Sequence, residues 1–110
     1  MAGRDIFGDT MTDIERLENE FHHDMLGILE REGQVGLNSI RFRQMLERYP
    51  GRATAKRLLN TQPPPNTFSY LRNRDKLDLT VEYYVALPKY ETLFDEDERK
   101  IAEWRLEHED

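Results

Sequence analysis

Cysteine is absent from the 110 residues, which excludes disulfides, thiolate nucleophiles and cysteine-ligated metals and fits a reducing compartment. No apolar run approaches the roughly 20 residues that span a bilayer, and the first residues lack the apolar stretch of a secretion signal. A membrane role is therefore not expected, and the cytoplasm is the default location. Also missing are the Gly-x-Ser-x-Gly elbow, the phosphate-binding loop and the His-Glu-x-x-His run, which removes the common catalytic signatures. Histidine occurs three times, and His108 lies in an acidic C-terminal stretch, away from the pair at 22 and 23. No cofactor, no metal and no enzymatic activity are expected.

Apolar residues make up 37% and charged residues 35%. That is polar for a folded domain but unlike the profile of a disordered one. Eleven aromatic residues, from Phe7 to Trp104, are available to anchor one modest core. The net charge of −6 conceals a sharper division. Residues 1–40 carry three basic and nine acidic side chains, residues 41–76 nine and two, and residues 77–110 four and eleven. A basic middle thus lies between two acidic flanks. Either it packs against the flanks and neutralises them, or part of it faces outward towards an anionic partner. The first is the expectation.

Residues 1–11 lack periodicity and read as a flexible tail, with Met11 a candidate second start. Residues 12–108 read as a single all-α domain. Thr12-Asp-Ile-Glu15 has the pattern of a capping box, and Ile14, Leu17, Phe21, Met25 and Ile28 follow at helical spacing. That helix should end near Gly33, with Gly36 reinforcing the stop. Asn38 is a candidate cap for a second helix burying Phe42, Met45, Leu46 and Tyr49, which Pro50 terminates. A third helix, from about Arg52 to Asn60, buries Ala55, Leu58 and Leu59. The prolines of "TQPPPN" then favour an extended spacer, and Asn66 or Thr67 can cap a short helix carrying Phe68, Tyr70 and Leu71.

"LDLTVEYYV" (residues 77–85) alternates like a β-strand, yet no other stretch offers a pairing partner for one. Read as a helix capped by Asp78, it places Leu79, Tyr83, Ala86 and Leu87 on one stripe, with Val81 and Val85 beside it. The helix is preferred, because local strand propensity yields to packing. Pro88 ends or bends it. One turn turning Tyr90, Leu93 and Phe94 inward comes next, then a second capping box at Asp95–Glu98 and a last helix presenting Ile101, Trp104 and Leu106. The expected fold is a compact all-α bundle of about five or six short helices with no sheet.

The stretches "ATAKRLLN", "FSYLRNRDKLDLTVEYYV" and "LFDEDERKIAEWRL" together resemble a recurrent small helical module of bacterial proteins of unassigned function. Its pattern runs "AAKRLL", "RLDLTVE" and "LFT..E...AR.RL". The upstream "RLENEFHHDML" and "RFRQML" fit the first half, so the resemblance covers residues 12–107. Asn66-Thr67 depart from it, standing where the module has a glycine before its phenylalanine. The resemblance implies a standalone protein or one beside or fused to nuclease- and restriction-like domains, and it carries no catalytic residue.

Two surfaces are candidates. Residues 38–60 have a helix-turn-helix outline, in which the second helix, with Arg52, Lys56 and Arg57, would meet a major groove while Arg41, Arg43 and Arg48 hold phosphates. The same outline fits an αα-hairpin in a small bundle. Tyr83 and Tyr84 are candidate anchors for a protein partner. Glu20 and His23 have the spacing of half a di-metal site, but no second half exists and a solvated face is expected. An unidentified protein partner, within a bacterial cytoplasmic system linked to nucleic-acid processing or defence, is expected ahead of direct DNA binding.

Overall fold

The computed structural model describes residues 12–36, 39–60 and 76–107. Its described residues form helices and turns, with no strand among them. The tail, the cap expected at Asn38, the segment with the three prolines and the short helix expected after it all fall outside these residues.

Helix α1 (Asp13–Gln34) opens on the expected box. Thr12 Oγ1 accepts from the Glu15 amide at 3.1 Å, and Glu15 Oε1 accepts from the Thr12 amide at 2.8 Å. Two orphan donors of the first turn are thereby satisfied. The stripe buries Phe21, Met25, Ile28, Leu29 and Glu32, whereas Ile14 near the start stays exposed. The helix continues just past Gly33, and the chain turns at Gly36 with φ +83°, a left-handed conformation suited to glycine.

Helices α2 (Ile40–Arg48) and α3 (Gly51–Leu59) form a hairpin around Pro50. Tyr49 is extended at φ −130° and ψ 149°, as the residue before proline must be. Pro50 itself then precedes the first turn of α3. α3 lies close against α1, and Gly51 sets that distance. A Cβ there would stand 2.8 Å from His22 Cα. The Gly51 amide, an unpaired donor of the new helix, donates to His22 Nδ1 at 2.9 Å.

The "LDLTVEYYV" stretch is helical, in two pieces. A 3-10 turn (Leu77–Leu79) leads into α4 (Val81–Val85). The cap is Thr80 rather than Asp78. Its hydroxyl donates to the Leu77 carbonyl at 2.6 Å and accepts from the Tyr83 amide at 3.1 Å, holding both pieces. Leu79, Val81 and Val85 are buried as expected. Tyr83 leaves the stripe assigned to it and faces outward, the helix beginning two residues later than an Asp78 cap would start it.

After Leu87 a second 3-10 segment (Pro88–Leu93) turns Tyr90 and Leu93 inward, with Phe94 following. Phe21 sits at the centre. Its ring meets Tyr90 at 5.0 Å and Phe94 at 5.1 Å between centroids, both edge-on, the geometry aromatic quadrupoles prefer. Helix α5 (Glu96–Glu107) opens on the second capping box: Glu98 donates its amide to Asp95 Oδ1 at 2.7 Å, and the Asp95 amide donates to Glu98 Oε1 at 2.9 Å. Its inward face is Glu98, Ala102 and Arg105, not the expected Trp104, which is 57% exposed. Ile101 packs against the core only at its edge.

Two substitutions test this packing. Gly51→Ala should lower the melting temperature by several degrees, since its methyl meets backbone atoms that cannot swing aside. Val85→Asp, at a site with no solvent exposure, should cost more than about 4 kcal/mol and abolish the cooperative thermal transition. Circular dichroism melts read both, and wild-type-like curves would contradict the packing described.

Candidate functional site

The six candidate cations within residues 41–57 do not share a face. Arg52 reaches across to α1, where its Nη1 donates to Glu18 Oε2 at 2.7 Å, and its Nε donates to the Leu93 carbonyl at 2.8 Å. Lys56, one turn further along α3, donates to Glu98 Oε1 at 2.7 Å and lies 5.5 Å from the Phe94 ring centroid. Both are partly buried within ion pairs to the acidic flanks. The helix period explains the pairing. Positions 52 and 56 fall on one side of α3, between α1 and α5.

The other four are exposed. Arg57 stacks its guanidinium on Tyr49 at 4.0 Å from the ring centroid. Arg41, Lys56 and Arg57 line an open groove between α2 and α3, with Met45, Ala53 and Asn60. Asn60 Nδ2 donates to the Lys56 carbonyl at 2.8 Å and closes the end of α3. Arg48 is two helical turns from Arg41 and within about 20° of its face, whereas Arg43 is about 200° round the helix.

Arg43 belongs to a different neighbourhood, that of the buried Glu32. This carboxyl has an Oε1 with no hydrogen-bond partner among the described residues. Burial pushes its pKa above the ordinary glutamate value, against the opposing pull of a hydrogen bond with Ser39 and the Arg43 charge. Ser39, at the start of α2, makes no side-chain cap to the helix behind it.

Tyr84 is half-buried, and its hydroxyl accepts from Arg31 Nη2. Tyr83 stands edge-on to it at 5.2 Å between centroids and is 39% exposed. Of this pair only Tyr83 presents its ring broadly to solvent. Below them the Tyr90 hydroxyl donates to Asp24. Burial first, and the adjoining carboxylate second, raise the Tyr90 pKa far above the ordinary tyrosine value. The Glu20/His23 spacing assembles nothing: Glu20 pairs with Lys89 at 2.6 Å, and His23 is exposed. Among the described residues no group of three or more His, Asp or Glu side chains could hold a metal ion.

The strongest polar feature is one that composition and spacing did not expose. Arg105 and Glu82, both almost fully buried, pair at 2.9 Å, and Arg105 also donates to the carbonyls of Leu58 and Leu59 at 3.3 and 3.2 Å. Arg105 stands seven residues after Glu98, which puts the two on one face of α5. Comparison of the chain with protein-family models, with curated proteins and with solved structures finds no match.

Glu32 supplies a test with a definite sign. A carboxyl whose pKa is raised by folding binds its proton more tightly folded than unfolded. Its contribution to stability is present below the unfolded value and is lost as pH rises through the folded one. Glu32→Gln should therefore raise the melting temperature at neutral pH by a few degrees and flatten the fall in stability above the ordinary glutamate pKa. Melts of both proteins across mildly acidic to neutral pH read this. A variant less stable at neutral pH would show that the ionised carboxylate is a net support.

Proposed function

We propose that this chain is a non-catalytic protein-interaction module of a bacterial cytoplasmic system, working beside nucleic-acid-processing or defence proteins. The observation that carries the reading is the fate of Arg52 and Lys56. Two of the three cations that a helix-turn-helix reader would present to DNA are engaged with Glu18, Glu98 and the Leu93 carbonyl. What is left facing outward on α3 is Arg57, already stacked on Tyr49. Exposed Tyr83, Trp104 and Ile40 supply apolar area of the kind that anchors protein contacts. The nuclease-neighbour element of the proposal rests on the resemblance alone.

Direct DNA binding through residues 38–60 is the competing reading, favoured by the exposure of Arg41, Arg48 and Arg57. Titration of a labelled duplex at low and at physiological salt separates the two. An interaction module should show negligible affinity even at low salt. Tight binding that weakens steeply with salt, as released counterions require, and that is lost in Arg41→Glu/Arg57→Glu, would replace this reading with the DNA-binding one. Capture from a bacterial lysate should give a partner protein that survives nuclease treatment of the eluate.

A further inference from the structure

The groove between α2 and α3 has cations on both rims and an apolar floor. Arg41 stands on the α2 side, Lys56 and Arg57 on the α3 side, and Met45 and Ala53 lie between them. Arg41 makes no ion pair among the described residues, although the chain as a whole is strongly acidic. Arg57 is held in place by Tyr49 and Lys56 by Glu98, so two of the three cations are preorganised. A fixed donor gives up less side-chain freedom on meeting a carboxylate than a mobile one does.

We infer that this groove docks an acidic peptide segment of a partner protein, one in which carboxylates flank an apolar side chain. The inference rests on the interaction-module reading and names its surface. Carboxylates would meet Arg41 and Arg57 in charge-assisted hydrogen bonds, and the apolar residue between them would cover Met45 and Ala53. Charge complementarity selects this occupant over nucleic acid for three reasons. The amide at the start of α3 that could hold a phosphate is taken by His22. The Tyr49 face that could stack a base is covered by Arg57. The acidic flanks of the fold, at −6 and −7, oppose a long polyanion but leave a short acidic segment room to sit between the rims.

The test uses a fluorescein-labelled peptide, Asp-Leu-Glu-Asp-Leu-Glu, and a neutral counterpart with Asn and Gln in place of the acids, followed by anisotropy on the full chain. The acidic peptide should bind and the neutral one should not. Arg41→Ala and Arg57→Ala should each weaken binding roughly threefold to tenfold. Arg43→Ala, on the far side of α2, should leave it unchanged, and melts of each variant exclude unfolding. Met45→Gln is a second check on the floor, since it should weaken binding with both arginines intact. Acidic-peptide binding indifferent to Arg41 and Arg57, or absent altogether, overturns the groove. The broader reading still stands in that case if a nuclease-resistant partner is captured from lysate. A single-stranded oligonucleotide that binds more tightly at the same arginines overturns both. Self-association that displaces the peptide and is abolished by Arg41→Ala would make the occupant a second copy and also overturn the proposal.

Discussion

A single buried guanidinium ties α5 to both α4 and the end of α3. Arg105 projects from α5, meets the Glu82 carboxylate of α4, and donates to the last carbonyls of α3 at Leu58 and Leu59. Three helices are joined at one buried point. Helix ends leave carbonyls without intrahelical partners, and a buried end must find donors elsewhere or lose stability. Glu82 in turn is buried beside that guanidinium, which offsets the cost of taking a carboxylate out of water. The orientation of α5, and with it the outward turn of Trp104, follows from placing Arg105 inward.

The same logic governs the charge pattern at larger scale. The basic middle and the acidic flanks meet inside the fold rather than outside it, through Arg52 with Glu18 and Lys56 with Glu98. These pairs lie between α3 and its neighbours α1 and α5, beside the Phe21, Tyr90 and Phe94 cluster, so the charges border the aromatic core. On α2 and α3 the exposed cations are Arg41, Arg43, Arg48 and Arg57.

Much of the architecture was legible because local chemistry decided it. The Thr12–Glu15 and Asp95–Glu98 boxes, the stripe through Phe21, Met25 and Ile28, and the Pro50 break each depend on contacts within a few residues. The helical reading of 77–85 succeeded for a different reason, since a lone strand would have had no partner for its backbone. One miss, the cap of α4, is local, and the others come from long-range contacts. Thr80 outcompetes Asp78 as cap because its hydroxyl can serve the preceding turn and the following helix together. Hydropathy alone would turn Trp104 inward, but a buried ion pair claims that face of α5. Proximity in sequence groups the six cations, whereas the helix period and two distant carboxylates divide them. The candidate surface was legible as a segment and not as a geometry.

The most direct test of this account is a double-mutant cycle on Glu82 and Arg105, with Glu82→Leu, Arg105→Met and the double variant compared by denaturant unfolding. If the buried pair organises α3, α4 and α5, each single variant strands a charge and costs about 3–5 kcal/mol. The double variant then costs clearly less than the two singles summed, because neither charge is left alone. Single variants within about 0.5 kcal/mol of wild type, or a double variant whose loss is simply additive, would contradict it.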